Sequence, residues 1–595
     1  MSMKLFSRKN LDFTLFNVLE IDKLNSLDFF KAHDYETLVL VIDMAEDLYE
    51  RMDEDAIVEA DRNEPCLENG SLKVHPAVHE FVKGYAESGL IGGALSEKIG
   101  GFQIPKTIIA AIDFILCSKS NSFIMFTDLA KGVANVISTF GTEHQKNFFL
   151  PYILAGKWLG TMCLTETESG SSLANIATKA TPQKNGRYLI NGQKIFISAG
   201  DHDITENIVH LVLARIEGAP QGTKGISLFL VPSKNQDGSA NDVKSIGIYH
   251  KMGQKATPAM HLEFGSTNSC NGYLIGEPNK GLHHMFLMMD NARLSVGSMG
   301  AGIASAAYYH SLRYAHERKQ GRHLNVSKPK NETAAIIHHP DVRRMLLAQK
   351  AFVEGTLSFV LQCYKYLDIQ KHTDDEADKK KYTGLLNLLT PVAKTYGAEK
   401  GVSAVNQGLQ VLGGYGYTED FPLEQLARDV RILPIYEGTT GIQSLGLLAR
   451  QVLSDGGKNL TVWHTVILDD IKKALDLKEL YPYAERLQKE LSKFQEITKH
   501  IMHLTTESSA EVYLADATWY MESFGTLNLA WQWIKQGVKV QEKLLDTPNE
   551  VFLKSKMVTL QYFFDYEIPR LNGLNERLLN TSRTTLPMDD MEILI

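Results

Sequence analysis

Long apolar runs are scarce in this chain of 595 residues. No stretch stays apolar for about 18 residues, which predicts no membrane-spanning helix. The five cysteines, Cys66, Cys117, Cys163, Cys270 and Cys363, are scattered and none has C-x-x-C spacing. That argues against a disulfide framework or a zinc site and for buried free thiols in a reducing compartment. The first twenty residues carry early positive charge but no apolar core, because Asp12 and Asn17 interrupt it. A cytoplasmic location follows as the expectation. Nucleotide loops of the G-x-x-x-x-G-K-[ST] type, H-E-x-x-H and G-x-S-x-G are all missing, and "GSMGAG" has the wrong spacing for the last. The pairs His283–His284 and His338–His339 are adjacent in sequence, and adjacent side chains on a helix or strand cannot converge on one metal ion. There is no internal repeat and no low-complexity linker.

What is present is the balance of an ordinary soluble globular protein, 44% hydrophobic and 22% charged. A net charge of −8 argues against a general nucleic-acid binder. The length exceeds what one core supports, so several domains are expected. Residues 1–33 read as an N-terminal extension, a strand or small helix wrapping the body. From 34 to 158 apolar residues recur at helical spacing, as at Leu38, Ile42, Ala45, Leu48 and Met52. From 159 to 277 the pattern changes to short alternating runs between turn residues, such as "GRYLINGQKIFISAG", "NIVHLVLARI" and "GISLFLVP". These predict an antiparallel sheet domain. Long helices return over 278–453, with a loop at "RHLNVSKPKNETAA" and a solvated connection at "KHTDDEADKKK". Residues 454–595 read as a further helical block.

Four segments stand out together. "MCLTETESGSSL" offers hydroxyls and backbone donors suited to a ring edge or a phosphate, although an ordinary serine-rich turn explains it as well. In "KIFISAG", Phe196 and Ser198 share a strand face and could flank a flat cofactor, or simply pack. "YAHERKQGR" closes a long helix with arginines suited to pyrophosphate, or to the helix dipole. "QVLGGYGYTEDFPLEQLARDVRILPIYEGTTGIQ" carries Gly413 and Gly414, which permit close backbone approach. Arg428, Asp429 and Arg431 read there as structural ion pairs. Glu437 sits in the same segment, between an apolar run and a glycine-threonine loop.

The combination "CLTE…GS", "NGQKIFIS", "ER-x-Q", "Q-x-x-GG-x-GY" and "RD-x-RI-x-x-IYEGT-x-x-IQ", in that order, resembles the acyl-CoA dehydrogenase family of flavoenzymes. The N-terminal extension and the extra helical block look like its longer subgroup of about 600 residues. The resemblance implies a mainly α fold with a central β domain. An N-terminal helical domain, an antiparallel β-barrel or sheet domain and a C-terminal four-helix bundle would be joined by an extra C-terminal helical domain. It implies FAD between the sheet domain and the following helices. Met162, Leu164, Thr165, Gly170 and Ser171 would line the flavin, Phe196 and Ser198 would meet its ring, and Arg318 and Gln320 would hold the pyrophosphate side. Gln410, Gly413 and Gly414 would contact the adenosine half, typically of a neighbouring subunit's flavin, and Thr439 and Gly441 would close over the cofactor. Ser171, Asp290, Arg293, Tyr436 and Gly438 would meet the acyl-CoA. This chain has Phe196 where the family usually has tryptophan, Ser198 for threonine, and Thr167 and Glu168 for a proline and a glycine.

The resemblance also implies the reaction: Glu437 removes the α-proton of an acyl-CoA thioester while the β-hydride leaves to the flavin. A solvated glutamate, with a pKa of about 4.3, is a poor base for this, and burial beside the acyl chain would raise it. The family's other position for the base lies one residue before the arginine of D-x-x-R. Here that residue is Ala292, which cannot act as one. Electron-transfer flavoprotein as acceptor and a homodimer are the implied partners. An acyl-CoA oxidase using oxygen is the rival enzyme, and a non-catalytic CoA-ester binder is the rival outside enzymes.

Overall fold

The computed structural model describes residues 4–68, 71–324, 333–580, 582 and 584–586. Residues 325–332 of the expected "RHLNVSKPKNETAA" loop lie outside the described residues. The chain divides into two compact units, one built mainly from Asp28–Ser295 with Gln425–Ile432, the other from Lys4–Leu27, Val296–Glu424 and Leu433 onward.

The first unit opens with helices. Tyr35–Arg51 begins at Asp34, whose carboxylate accepts from Thr37 N, and buries Leu38, Ile42, Ala45 and Leu48. The spacing read from sequence is therefore the buried stripe. Lys106–Cys117 is buried along almost its whole length. Asn121–Phe140 is long and apolar enough to cross a membrane, a length and composition the sequence reading did not anticipate. Yet 61% of its most apolar window is buried, and Val133 on it lies directly against Gly160. It is a core helix.

Strands β1 (Cys66–Glu68) and β2 (Ser71–Lys73) form a hairpin. The main sheet of this unit comprises β3 (Trp158–Cys163), β4 (Lys179–Pro182), β5 (Tyr188–Ser198), β6 (Asn207–Ile216), β7 (Ile226–Pro232), β8 (Val243–Ile248), β9 (Ala259–Phe264) and β10 (Asn271–Leu274). Because β10 pairs with both β7 and β5, the path β5-β10-β7-β6-β4 returns to β5 and closes. Closure leaves fewer exposed edges. The expectation of antiparallel pairing needs one correction: β6 pairs in parallel with both β3 and β4. Alternation reports which face is buried, not strand direction. The usable signal was the largely apolar stretch of β6, interrupted only by Asn207 and His210 over its first eight residues, all of which are buried, as in strands covered on both faces.

The second unit is helical. Its long elements are the part of Gly281–Glu317 from Val296 onward, Pro340–His372 and Glu376–Leu412. Thr440–Leu445 runs on into a π-helical stretch over Gly446–Leu453. Helices Lys458–Leu475, Tyr481–Glu507, Ala517–Asp546 and Val551–Tyr562 complete it. The two longest helices cross at small residues. A Cβ on Gly297 would sit 2.7 Å from Ala393 O, and one on Gly300 would sit 2.5 Å from Gly397 O. Only glycine permits that approach. The N-terminal segment packs into this unit: Ser305 Oγ donates to Leu5 O at 2.7 Å. The buried Lys556 ammonium donates to Asn10, to Glu354 at 2.8 Å and to Gln536 at 2.7 Å.

Candidate active site

In the first unit the site begins with a buried ion pair. Lys194 projects inward from β5, fully buried. Its ammonium donates to Glu166 Oε1 at 2.7 Å and to Leu164 O at 3.0 Å. The Glu166 carboxylate also accepts from Ala177 N at 2.5 Å, Thr178 N at 3.1 Å and Thr178 Oγ1 at 2.6 Å. Burial alone would push this carboxyl up, but the Lys194 charge and these donors hold it below its ordinary value. Ile195 N donates to Thr165 O at 2.9 Å. Together these bonds lay the Leu164–Gly170 loop along β5.

The same stretch of β5 carries a register shift against β9 between Lys194 and Ile197. At the bulge Phe196 adopts φ 58 and its ring is 59% exposed, 4.5 Å from that of Tyr249. Ser198 is half-buried, while Ile195 and Ile197 are buried on the opposite face. Met162, Leu164, Thr165, Phe196 and Ser198 thus belong to one connected framework. Gly170 and Ser171 are exposed at its rim. Asp290 and Arg293, also in this unit, form an ion pair at 2.7 Å, and Arg293 Nε is buried without a hydrogen-bond partner.

The expected ion pairing of Arg428, Asp429 and Arg431 divides. Arg428 pairs with Asp61 at 2.6 Å. Asp429 instead accepts from the Gln254 backbone, and burial pushes its pKa up to about 7. Arg431 is exposed.

In the second unit the loop bearing Glu437 is held from several sides. Glu437 and Gly438 are consecutive left-handed residues, with φ 54 and 87. Tyr436 OH donates to Met299 Sδ at 3.5 Å. The Glu437 carbonyl accepts from Gln443 Nε2 at 2.9 Å, and the Gly438 carbonyl accepts from Lys394 Nζ at 2.7 Å. Thr439 caps the next helix by accepting from Ile442 N, and Thr440 Oγ1 donates to Glu399 at 2.5 Å. Met299 and Lys394 stand on the two helices that cross at Gly297–Gly300 and Ala393–Gly397. That crossing fixes the supports on both sides of Glu437. Glu437 and Tyr436 are half-buried, but Ile435 is 47% exposed. The apolar wall expected from "PIYEG" is therefore incomplete within this unit.

Also in this unit, the helix Gly281–Glu317 ends just before Arg318. Gln320 lies on β11 (Lys319–Arg322), paired with β12 (Thr333–Ala335), and its carbonyl accepts from His339 Nε2 at 2.7 Å. Arg318 is thus past the helix end, and Gln320 is part of a hairpin. Gln410, Gly413 and Gly414 are exposed at the end of Glu376–Leu412. A Cβ at Gly413, Gly414 or Gly441 would meet nothing within 4 Å.

Sequence reasoning passed over Lys194, Glu166, Met299, Lys394 and Gln443. Lys194 was findable, since it shares the inward face of β5 with Ile190. Lys394 was findable as a cation inside "PVAKTYG". The role of Met299 depends on a distant loop and left no local trace.

Comparison with known proteins identifies the domains and the family. Residues 43–157, 161–267 and 279–453 match the acyl-CoA dehydrogenase N-terminal, middle and C-terminal domains, and 467–589 match an acetyl-CoA dehydrogenase C-terminal-like domain. The chain is 34% identical to 3-methylmercaptopropionyl-CoA dehydrogenase of Ruegeria pomeroyi, over 87% of this chain and 88% of that one. It is 31% identical to the broad-specificity linear acyl-CoA dehydrogenase FadE5 of Mycobacterium tuberculosis, over 97% and 98%. An acyl-CoA dehydrogenase from Bacillus anthracis, solved with FAD, shares the fold with a TM-score of 0.74 at 20% identity, over 94% and 90% of the two chains. With all four regions matched in order and both curated relatives similar over most of their length, this chain belongs to the acyl-CoA dehydrogenase family.

Proposed function

We propose that this protein is an FAD-dependent acyl-CoA dehydrogenase that converts an acyl-CoA thioester to the trans-2-enoyl-CoA, with Glu437 as the base. The observation that carries the reading is the clamped loop: a carboxylate in the left-handed region, with its own carbonyl and the next held by Gln443 and Lys394. A solvated surface glutamate needs no such support.

The residues fit FAD on two observations. Phe196 presents an exposed aromatic face at a strained bulge, beside a loop rich in hydroxyls and held by Lys194. Gly413, Gly414 and Gly441 leave their surroundings open to a bulky group. Met162, Leu164, Thr165, Gly170, Ser171, Phe196 and Ser198 would hold the ring side. Arg318, Gln320, Thr439 and Gly441 would hold the phosphate side. Gln410, Gly413 and Gly414 would meet the adenosine half, of a second copy's cofactor in a homodimer. When bound, FAD supplies the two-electron acceptor for the β-hydride.

The chain's own part is proton chemistry and orientation. Glu437 takes the α-proton onto its carboxylate. Its backbone N–H would donate to the thioester oxygen, where negative charge grows as the proton leaves. Ser171, Asp290, Arg293, Tyr436 and Gly438 would orient the CoA ester. The partly exposed Ile435 leaves an acyl chain to complete the dry side of the pocket, so that substrate binding itself desolvates the base and strengthens it.

The test is anaerobic flavin bleaching by acyl-CoAs of graded length and branching, 3-methylmercaptopropionyl-CoA and butyryl-CoA included. Electron-transfer flavoprotein reduction without oxygen uptake is the expected turnover. Rapid oxygen consumption with peroxide formation would make it an oxidase, and absence of bound flavin after purification would overturn the enzyme reading.

A further inference from the structure

We propose that Lys394 is a positioning residue for the base, setting the reactivity of Glu437 through the Gly438 peptide without touching the substrate. The inference rests on the reading of Glu437 as base.

Two consecutive left-handed residues are not self-sustaining. The non-glycine one costs about 1–2 kcal/mol relative to ordinary backbone, and only surrounding contacts keep it. Here the contacts act on two successive peptide planes. Gln443 Nε2 holds the carbonyl of Glu437, and Lys394 Nζ holds that of Gly438. Rotating either plane breaks one of these bonds. Released, the pair can relax, and the direction of the Glu437 side chain changes with it.

The two holders differ in origin. Gln443 stands on the short helix that follows the loop, so it moves with the loop. Lys394 reaches in from Glu376–Leu412, at the turn where that helix meets Gly297 and Gly300. It therefore registers the base against the helix crossing itself. Lys394 is fully buried. Taking an ammonium out of water costs several kcal/mol unless hydrogen bonds and charge offset it. A leucine or methionine would cover the same helix face at no such cost. The bond to the Gly438 carbonyl is something this buried position supplies that an apolar side chain cannot.

The experiment compares Lys394→Met, Gln443→Leu and the double variant, each purified as the full chain with FAD. Three quantities are read: flavin content, acyl-CoA affinity from the flavin spectral shift, and the anaerobic rate of flavin reduction. Lys394→Met is expected to keep flavin content and to bind acyl-CoA within about threefold. Its reduction rate is expected to fall about 100-fold, the loss that follows a misplacement near 1 Å. The double variant should lose less than the product of the two single losses, because both bonds hold one conformation. A reduction rate within about threefold of the parent, or losses that simply multiply, would overturn the inference. If Lys394→Met does not retain flavin, Lys394→Leu carries the test: without a donor to the Gly438 carbonyl the rate should still fall, and a parental rate there overturns the inference too. Glu437→Gln, run alongside, separates the two claims. Normal bleaching in that variant removes the base assignment itself, whereas normal bleaching in the Lys394 variants alone removes only this inference.

Discussion

At the residue scale the proposed base depends on backbone geometry as much as on side-chain identity. Glu437→Gln keeps size and polarity but cannot accept the proton. We expect flavin and acyl-CoA binding to persist and flavin reduction to slow by about 10²–10⁴-fold, the usual weight of a general base. Stopped-flow bleaching measures it, and near-normal bleaching would show that another group is the base. Gly438 has a separate requirement. Its φ is 87, and a Cβ there would stand 2.5 Å from Gln443 Nε2. Gly438→Ala should therefore cost about 1–2 kcal/mol in strain and displace the amide that holds the Glu437 carbonyl. The same bleaching assay should show a slower reduction with flavin content preserved. A variant indistinguishable from the parent would mean that the loop adapts freely. Glu437 was legible in the sequence through its motif, but its left-handed backbone was not. That conformation is paid for by contacts with residues 6 and 44 positions away.

At the element scale, two pieces of secondary structure do the positioning. One is the crossing of the two long helices through Gly297, Gly300 and Gly397. Gly300→Ala would push a methyl to within 2.5 Å of the Gly397 carbonyl. Overpacking of this kind typically costs about 1–3 kcal/mol. It should also slow flavin reduction, since Met299 and Lys394 ride on the separated helices. An unchanged rate beside a lowered melting temperature would show that the crossing serves stability alone. The other is β5, where Lys194 ties the Leu164–Gly170 loop to the strand. Removing it leaves Glu166 buried without its countercharge, a loss of about 3–5 kcal/mol for a buried pair. Lys194→Met should yield protein with little bound flavin. Full flavin content in a folded Lys194→Met variant would separate the ion pair from the cofactor loop. Helical stripes and strand alternation made these elements visible in advance. Which carbonyl or carboxylate each lysine would reach could not be read, because sequence spacing carries no information about partners across elements.

At the scale of the whole molecule, each unit draws on distant parts of the chain. Lys556 joins the N-terminal segment, the Pro340–His372 helix and the late helices through Asn10, Glu354 and Gln536. Trp533 donates to the Ala351 carbonyl at 3.2 Å. The residues beyond 454 thus share a core with the helices before them. In the other unit, buried histidines make stability depend on pH. His210 lies between Thr161 Oγ1 at 2.7 Å and Ser233 Oγ at 2.9 Å, and burial pushes its pKa down to about 3. Burial likewise takes His202 down to about 4. Both folded values lie below the ordinary 6.5, so the unfolded chain binds these protons first. Their contribution is complete above about pH 6.5 and shrinks as pH falls toward the folded values, by about 1.4 kcal/mol per pH unit for each. Urea midpoints measured from pH 7.5 to pH 5 should fall with acidity, and His210→Gln should flatten part of that slope. An identical slope in the variant would remove His210 as a cause.

The sequence by itself determined the order helices, sheet, helices, helices, because periods of 3.6 and 2 are local and survive without a partner. It also carried the proposal of Glu437 as base, because the motif sets that carboxylate among residues of fixed type and order. Only the tertiary structure decided the parallel pairing of β6 with β3 and β4, the N-terminal segment's packing into the second unit, and the burial of Lys194 and Lys394 against the loops they hold. Each of these joins positions far apart in the chain. A local pattern states what a residue can bury or donate, and only the folded chain determines which group receives it.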